Sequence, residues 1–99
     1  MRARVEYHPK IEQELREVIN YYDSCSVGLG IEFLHEFERH ILKIASMPNQ
    51  WIIVENGIRR SLMKRFPYVI YFRVLRNESV RITIVKHQRR HPGLGLNRE

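Results

Sequence analysis

Residues 68–87, YVIYFRVLRNESVRITIVKH, decide how this chain is built. The opening run is rich in β-branched and aromatic side chains, which suit a pleated strand. Under period-two alternation Ile70, Phe72 and Val74 share one face, and Val69, Tyr71, Arg73 and Leu75 share the other. The polar stretch RNES then reads as a turn. Beyond it, Val80, Ile82 and Ile84 stand opposite Arg81, Thr83, Val85 and His87. Two such runs joined by a short turn predict a hairpin at the heart of an antiparallel sheet.

The flanking sequence supplies the rest of the sheet and a cover for it. WIIVENGIRRSLM (residues 51–63) contains Asn56-Gly57, a tight-turn signal between two short extended pieces. At the N-terminus RARVEY alternates like a short strand, with Ala3 and Val5 on one side. His8-Pro9 ends it, and Pro9 is placed to open a helix because its missing N–H is not needed there. From there Ile11, Leu15, Val18, Ile19 and Tyr22 recur at helical spacing, with Glu12, Glu14, Arg16 and Glu17 mostly opposite. DSCSVGLG (residues 23–30) reads as a loop. Phe33, Leu34, Phe37, Ile41, Ile44 and Ala45 stripe a second helix, which Pro48 closes. The pattern predicts an α+β domain spanning residues 1–99, with a helical hairpin covering one sheet face.

Charge divides unevenly along the chain. Residues 1–50 carry six Lys and Arg against eight Asp and Glu, a net of −2. Residues 51–99 carry eleven against three, a net of +8. Lys86, His87, Arg89, Arg90 and His91 crowd the end of the last strand with no acid among them, so mutual repulsion there calls for an anionic partner. The open sheet face should carry Arg73 and Arg81, with His87 on the side of Arg81. Arg59, Arg60, Lys64 and Arg65 arrive from the preceding strand and its connection. Guanidinium groups suit phosphates and carboxylates, which their planar fork binds with two hydrogen bonds. The aromatic rings Phe66, Tyr68, Tyr71 and Phe72 are read as core.

Several classes of function are set aside. A single cysteine, Cys25, rules out an internal disulfide and fits a reducing cytoplasm. No apolar run approaches the roughly 20 residues of a membrane span, and the N-terminus has no apolar signal core, so a cytoplasmic protein is expected. His35 and His40 do not share a helix face, and no Cys or carboxylate cluster completes a metal site. GLG at 28–30 lacks the lysine and spacing of a phosphate loop, and no cofactor is expected. RNA cleavage by 2′-hydroxyl attack is conceivable, with His87 as base or acid and Arg65, Arg73 and Arg81 holding the developing charge. It lacks a second proton-transfer group: Glu55 lies by the Asn-Gly turn, and no aromatic residue follows Phe72.

Three stretches carry a resemblance: YYDSCSVGLGIEFLHEFERHILKIASMPNQW (21–51), GIRRSLMKRFPYVIYFRV (57–74) and IVKHQRRHPG (84–93). Together they resemble the RelE/ParE superfamily of bacterial type II toxins. The resemblance implies an N-terminal strand and helical hairpin on a small, strongly twisted antiparallel sheet. It also implies a cognate antitoxin that wraps and silences the toxin. The RelE branch implies a ribosome-dependent mRNA endonuclease with a tyrosine near the end, whereas here Gln88-Arg89-Arg90-His91-Pro92-Gly93 follows His87. The extended FPYVIYFRV strand and longer helical hairpin look more like the ParE branch, which implies inhibition of DNA gyrase by protein contact. Arg59, Arg60, Arg65, Arg73, Arg81, Lys86, His87, Arg89 and Arg90 are the residues expected to meet antitoxin or target.

Overall fold

In the computed structural model, which describes residues 2–90 and 95–99, the 68–87 hairpin sits at the centre of a five-stranded sheet. Strands β4 (Tyr68–Val74) and β5 (Val80–His87) pair antiparallel, and β3 (Ile58–Leu62) lies on the far side of β4. The hairpin turn is closed by Asn77, whose Oδ1 accepts from the Ser79 amide at 3.1 Å and the Ser79 hydroxyl at 2.6 Å. Strand β2 (Ile53–Glu55) joins β3 through Asn56 and Gly57, both at positive φ (46° and 76°), as a two-residue hairpin loop of this hand requires. The opposite edge is β1 (Val5–Tyr7). It runs parallel to β5, so the sheet is mixed and not wholly antiparallel as expected. Alternation in a strand of three residues marks which side chains face in, but carries no information about direction.

Helices α1 (Ile11–Cys25) and α2 (Leu29–Ser46) form the expected hairpin over one face. α1 begins two residues later than Pro9, because the His8 ring Nδ1 accepts from the Lys10 amide at 3.1 Å and the His8 carbonyl accepts from the Ile11 amide at 3.0 Å. It also continues through Asp23–Cys25, which the sequence assigned to the loop. The reversal is therefore tighter, with Gly28 at φ 84°. Gly30 is needed for a different reason. A Cβ there would collide with the Ile19 carbonyl and side chain, so glycine permits the helices to meet this closely. Its amide also donates to Asp23 Oδ1 at 2.8 Å. Pro48 opens a short 3₁₀ turn, Pro48–Gln50, that ends α2.

Phe33, Phe37, Ile41 and Ile44 on α2 pack with Ile70 and Phe72 on β4 and with Val80 and Ile82 on β5. Then the alternation of β5 changes. Tyr71 pairs with Ile84 and the next residue, Phe72, pairs with Ile82, which leaves Thr83 as an extra residue in β5. Such a bulge moves every following side chain to the other face. Val85 consequently joins the helix-side core, while Ile84 leaves it for a second cluster with Ile58, Val69, Tyr71 and Leu96 on the outer face. The expected grouping of Val80, Ile82 and Ile84 on one face is corrected accordingly. Among the described residues no helix is long and apolar enough to cross a membrane.

The stripe on α2 sets a stability expectation. Phe37 is 2% exposed at the centre of the main core, so Phe37→Ala should lower the unfolding free energy by about 3–5 kcal/mol. Urea denaturation measures this, and a loss well under ~1 kcal/mol would show that the stripe is not core.

Candidate functional site

The nine residues singled out in the sequence do not form one surface. Arg60, Arg73, Arg81 and Lys86 share the outer sheet face, as the register with Tyr71, Ile58 and Val69 requires. Arg73 and Arg81 are direct cross-strand partners, an unfavourable pairing of like charges unless each finds its own neutralising group. Arg81 Nη1 donates to Glu6 Oε1 on β1 at 2.9 Å. Arg73 Nη1 donates to the Asn56 carbonyl at 2.9 Å and Nη2 to the Leu96 carbonyl at 3.5 Å, joining the β2–β3 turn and the C-terminal segment. Lys86 lies over the Tyr71 ring, its Nζ 5.2 Å from the centroid, and burial lowers its pKa.

Arg59 points the other way. Its Nη1 donates to the Asn49 carbonyl at 3.2 Å and the Trp51 carbonyl at 2.8 Å, bracing the chain between α2 and β2. Arg65, in the β3–β4 connection, pairs with Glu32 of α2 and covers the Phe66 ring. The same connection is held from beneath by a buried acid. Glu36 Oε2 accepts from the Lys64 and Arg65 amides at 2.8 and 3.2 Å and lies 3.5 Å from His40 Nε2. His40 Nδ1 meets Ser61 Oγ at 2.8 Å. Ser61 is 1% exposed, so this serine–histidine–glutamate set is closed to a substrate and serves to fasten α2 to the loop. No sequence signal pointed to Glu36, because a buried carboxylate on a helix resembles any other polar position.

His87 sits on the helix side of β5, and not beside Arg81 as expected. The Thr83 bulge is the reason. Its cross-strand partner is Tyr68, and the two rings stand nearly perpendicular (76°) with centroids 5.2 Å apart. His87 Nδ1 accepts from the Arg89 amide at 3.0 Å. Burial and the neighbouring Tyr21 hydroxyl raise the Tyr68 pKa, and Arg90 partly offsets them. These groups face a cleft of about 580 Å³ between α1, the end of β5 and the 95–98 turn. Tyr21 and Glu17 approach it from α1.

Nothing in the sequence signalled that the Tyr68 hydroxyl belongs to a side chain lying directly against His87. Continued without a break from the Val74–Val80 pair, the register would set His87 opposite Pro67, and the extra residue Thr83 is what brings it to Tyr68. Arg65, Arg73 and Arg81 do not join them: each is held by another partner, and Arg73 and Arg81 lie on the outer face. Glu55 stands on β2 at the far edge of the sheet. Arg89 and Arg90 are exposed and make no ion pair among the described residues. His91, the last member of the basic run, lies outside those residues.

The family model of the ParE toxin of type II toxin-antitoxin systems, parDE, matches residues 5–92. The chain belongs to the ParE toxin family. No protein of curated function matches the sequence. Among solved structures the chain is similar to the chromosomal ParDE TA system from P. aeruginosa, with a TM-score of 0.75 at 13% identity over 86% of this chain and 95% of that one. It is also similar to a double arginine-to-alanine mutant of the E. coli toxin RelE in the free state, with a TM-score of 0.66 at 11% identity over 90% and 86%. At such identities the likeness concerns the fold, and the fold is that of the RelE/ParE superfamily.

The closed histidine network gives a pH dependence. Burial lowers the His40 pKa from 6.5, against the opposing pull of Glu36 and with further lowering by Lys43 and Lys64. The unfolded chain then takes up a proton more readily than the folded one, so His40 removes stability as pH falls below about 6.5 and adds no further loss below its depressed folded value. Urea midpoints measured above and below that window should fall more steeply with acid for wild type than for His40→Asn. Equal slopes would contradict the assignment.

Proposed function

We propose that this ParE-family chain is the toxic half of a two-protein module, that it inhibits DNA gyrase by protein contact, and that a cognate antitoxin silences it. The observation that carries this reading is the match of the ParE toxin family model across residues 5–92. The likeness to a ParDE complex in fold supports an antitoxin partner. Charge supports it too. The braced cations of the outer face keep a positive potential there, and exposed Arg89 and Arg90 extend it past β5, a field that draws an acidic protein.

A second reading rests on one specific arrangement, His87 against Tyr68 with Arg90 beside the tyrosine. Those three groups could act as base, acid and charge holder in cleavage of mRNA on the ribosome, the RelE-like activity. Two features weigh against it. The His87 Nδ1 is already engaged by the Arg89 amide, and Arg65, Arg73 and Arg81 are tied elsewhere. A relative that binds its antitoxin and poisons nothing is the third possibility, and it differs from both in a growth assay.

Expression without antitoxin separates these readings. Gyrase inhibition should give filamentous cells with damaged DNA, loss of supercoiling by purified gyrase, and continued translation. His87→Ala should keep most of this toxicity. A ribosome-dependent nuclease would instead stop translation, and His87→Ala would slow its mRNA cleavage by roughly 10²–10⁴-fold. Wild-type cleavage that collapses in His87→Ala would overturn the gyrase reading.

A further inference from the structure

Strand β2 forms the sheet edge opposite β1, and among the described residues no strand pairs with its outer side. Exposed edges are commonly blunted by a lysine, a proline or an inward charge. This one carries three β-branched apolar side chains in a row, Ile52, Ile53 and Val54, with Ile52 64% and Ile53 54% exposed. The Arg60 amide donates to the Ile52 carbonyl at 3.2 Å, so the backbone groups of Ile52 face β3. Backbone groups alternate in direction along an antiparallel strand, so the amide and carbonyl of Ile53 face away from the molecule. The irregularity at Val54 then sets Glu55 opposite Ile58, on the outer sheet face. Arg60 lies on that same face, opposite Tyr71. Glu55 and Arg60 each lack an ion pair among the described residues.

We propose that this edge pairs with its own copy, joining two chains about a two-fold axis at Ile53. The next outward group, the Trp51 carbonyl, already accepts from Arg59 at 2.8 Å, which leaves Ile53 as the hydrogen-bonding centre. Each Ile53 amide then donates to the partner's Ile53 carbonyl. Charge selects a second copy over an unrelated strand. In this register Glu55 stands opposite the partner's Trp51, one residue along from the partner's Ile52 and therefore close to the partner's Arg60. Two strand spacings and one residue of offset separate those backbones by roughly 10 Å, a span that a glutamate and an arginine side chain close between them. The two-fold makes this ion pair twice, from groups that have none within one chain. On the helix side the partner's Ile53 lies diagonal to Trp51, within reach of its side chain. Trp51, Leu42 and Met47 line an apolar cavity of about 600 Å³ there, so apolar surface is covered as well. Because β2 is short and bulged, the ladder is limited to one reciprocal pair and the dimer is weak, with micromolar dissociation. The same edge serves both chains, so assembly closes at two. It lies across the sheet from the His87 cleft, and dimerisation and growth inhibition are read separately.

Sedimentation equilibrium of the purified full-length chain, across the micromolar range, should show a monomer–dimer equilibrium. Glu55→Arg and Arg60→Glu should each weaken the dimer about tenfold or more. Combining the two exchanges the charges across the axis and should restore association to within about threefold of wild type. A parent that had merely lost its fold would not be rescued in this way. Oxidation in a Cys25→Ser background tests the register. Ile53→Cys sets two thiols across the axis at a Cα spacing of about 5.5 Å, which a disulfide accepts. Ile52→Cys places the Cα atoms roughly 8 Å apart and should crosslink about tenfold more slowly or worse. A monomer at every concentration, a double exchange as weak as its parents, or crosslinking as fast at Ile52→Cys as at Ile53→Cys would each overturn the proposal.

Discussion

The hydrogen bond from the Thr83 hydroxyl to the Tyr71 carbonyl, 3.2 Å long and fully buried, marks the point on which this molecule turns. One extra residue in β5 divides a strand of eight into two pieces with opposite facing. Ahead of it, Val80 and Ile82 complete the core under the helices. Behind it, Val85 takes over that duty and Ile84 is released to the outer face, where it meets Leu96 from the C-terminal segment. The bulge thereby provides both faces of the sheet with an apolar cluster. It also carries His87 round to Tyr68 and away from Arg81.

The second consequence concerns charge. An excess of +8 after residue 50 suggests one basic surface, yet the structure distributes these cations among different tasks. Arg59 and Arg73 donate to backbone carbonyls that have no strand partner, so they act as braces for loops. Arg65 and Arg81 are tied to Glu32 and Glu6, each contributed by the mildly acidic first half of the chain. Pairs so exposed add little stability individually. Their value lies in position: they fix the β3–β4 connection and the edge strand against elements distant in sequence. Arg89 and Arg90, exposed and without an ion pair among the described residues, lie past the end of β5.

Much of this was legible in the residues. The hydrophobic stripe on α2, the Asn56-Gly57 turn and the 68–87 hairpin each follow from a local rule that tertiary packing did not override. The helical hairpin and the family resemblance were also readable, because they depend on patterns spread over many positions. The bulge was not. Thr83 is an ordinary strand residue, and no glycine or proline announces the extra position. The error passed directly to His87, Val85 and Ile84, since a one-residue shift exchanges the faces of everything after it. The direction of β1 and the carboxylate of Glu36 beneath the Lys64 and Arg65 amides were hidden for a related reason. Both are long-range contacts made by short or solitary signals.

The facing of β5 can be read directly from through-space proton contacts in solution. The His87 ring protons are expected to show cross-peaks to the Tyr68 ring, and the Ile84 methyls to Tyr71 and Leu96. Val85 methyls should contact the core beneath the helices. Ile84 methyls that instead contact Phe72 and Phe33, together with a His87 ring near Arg81, would restore unbroken alternation and contradict the account.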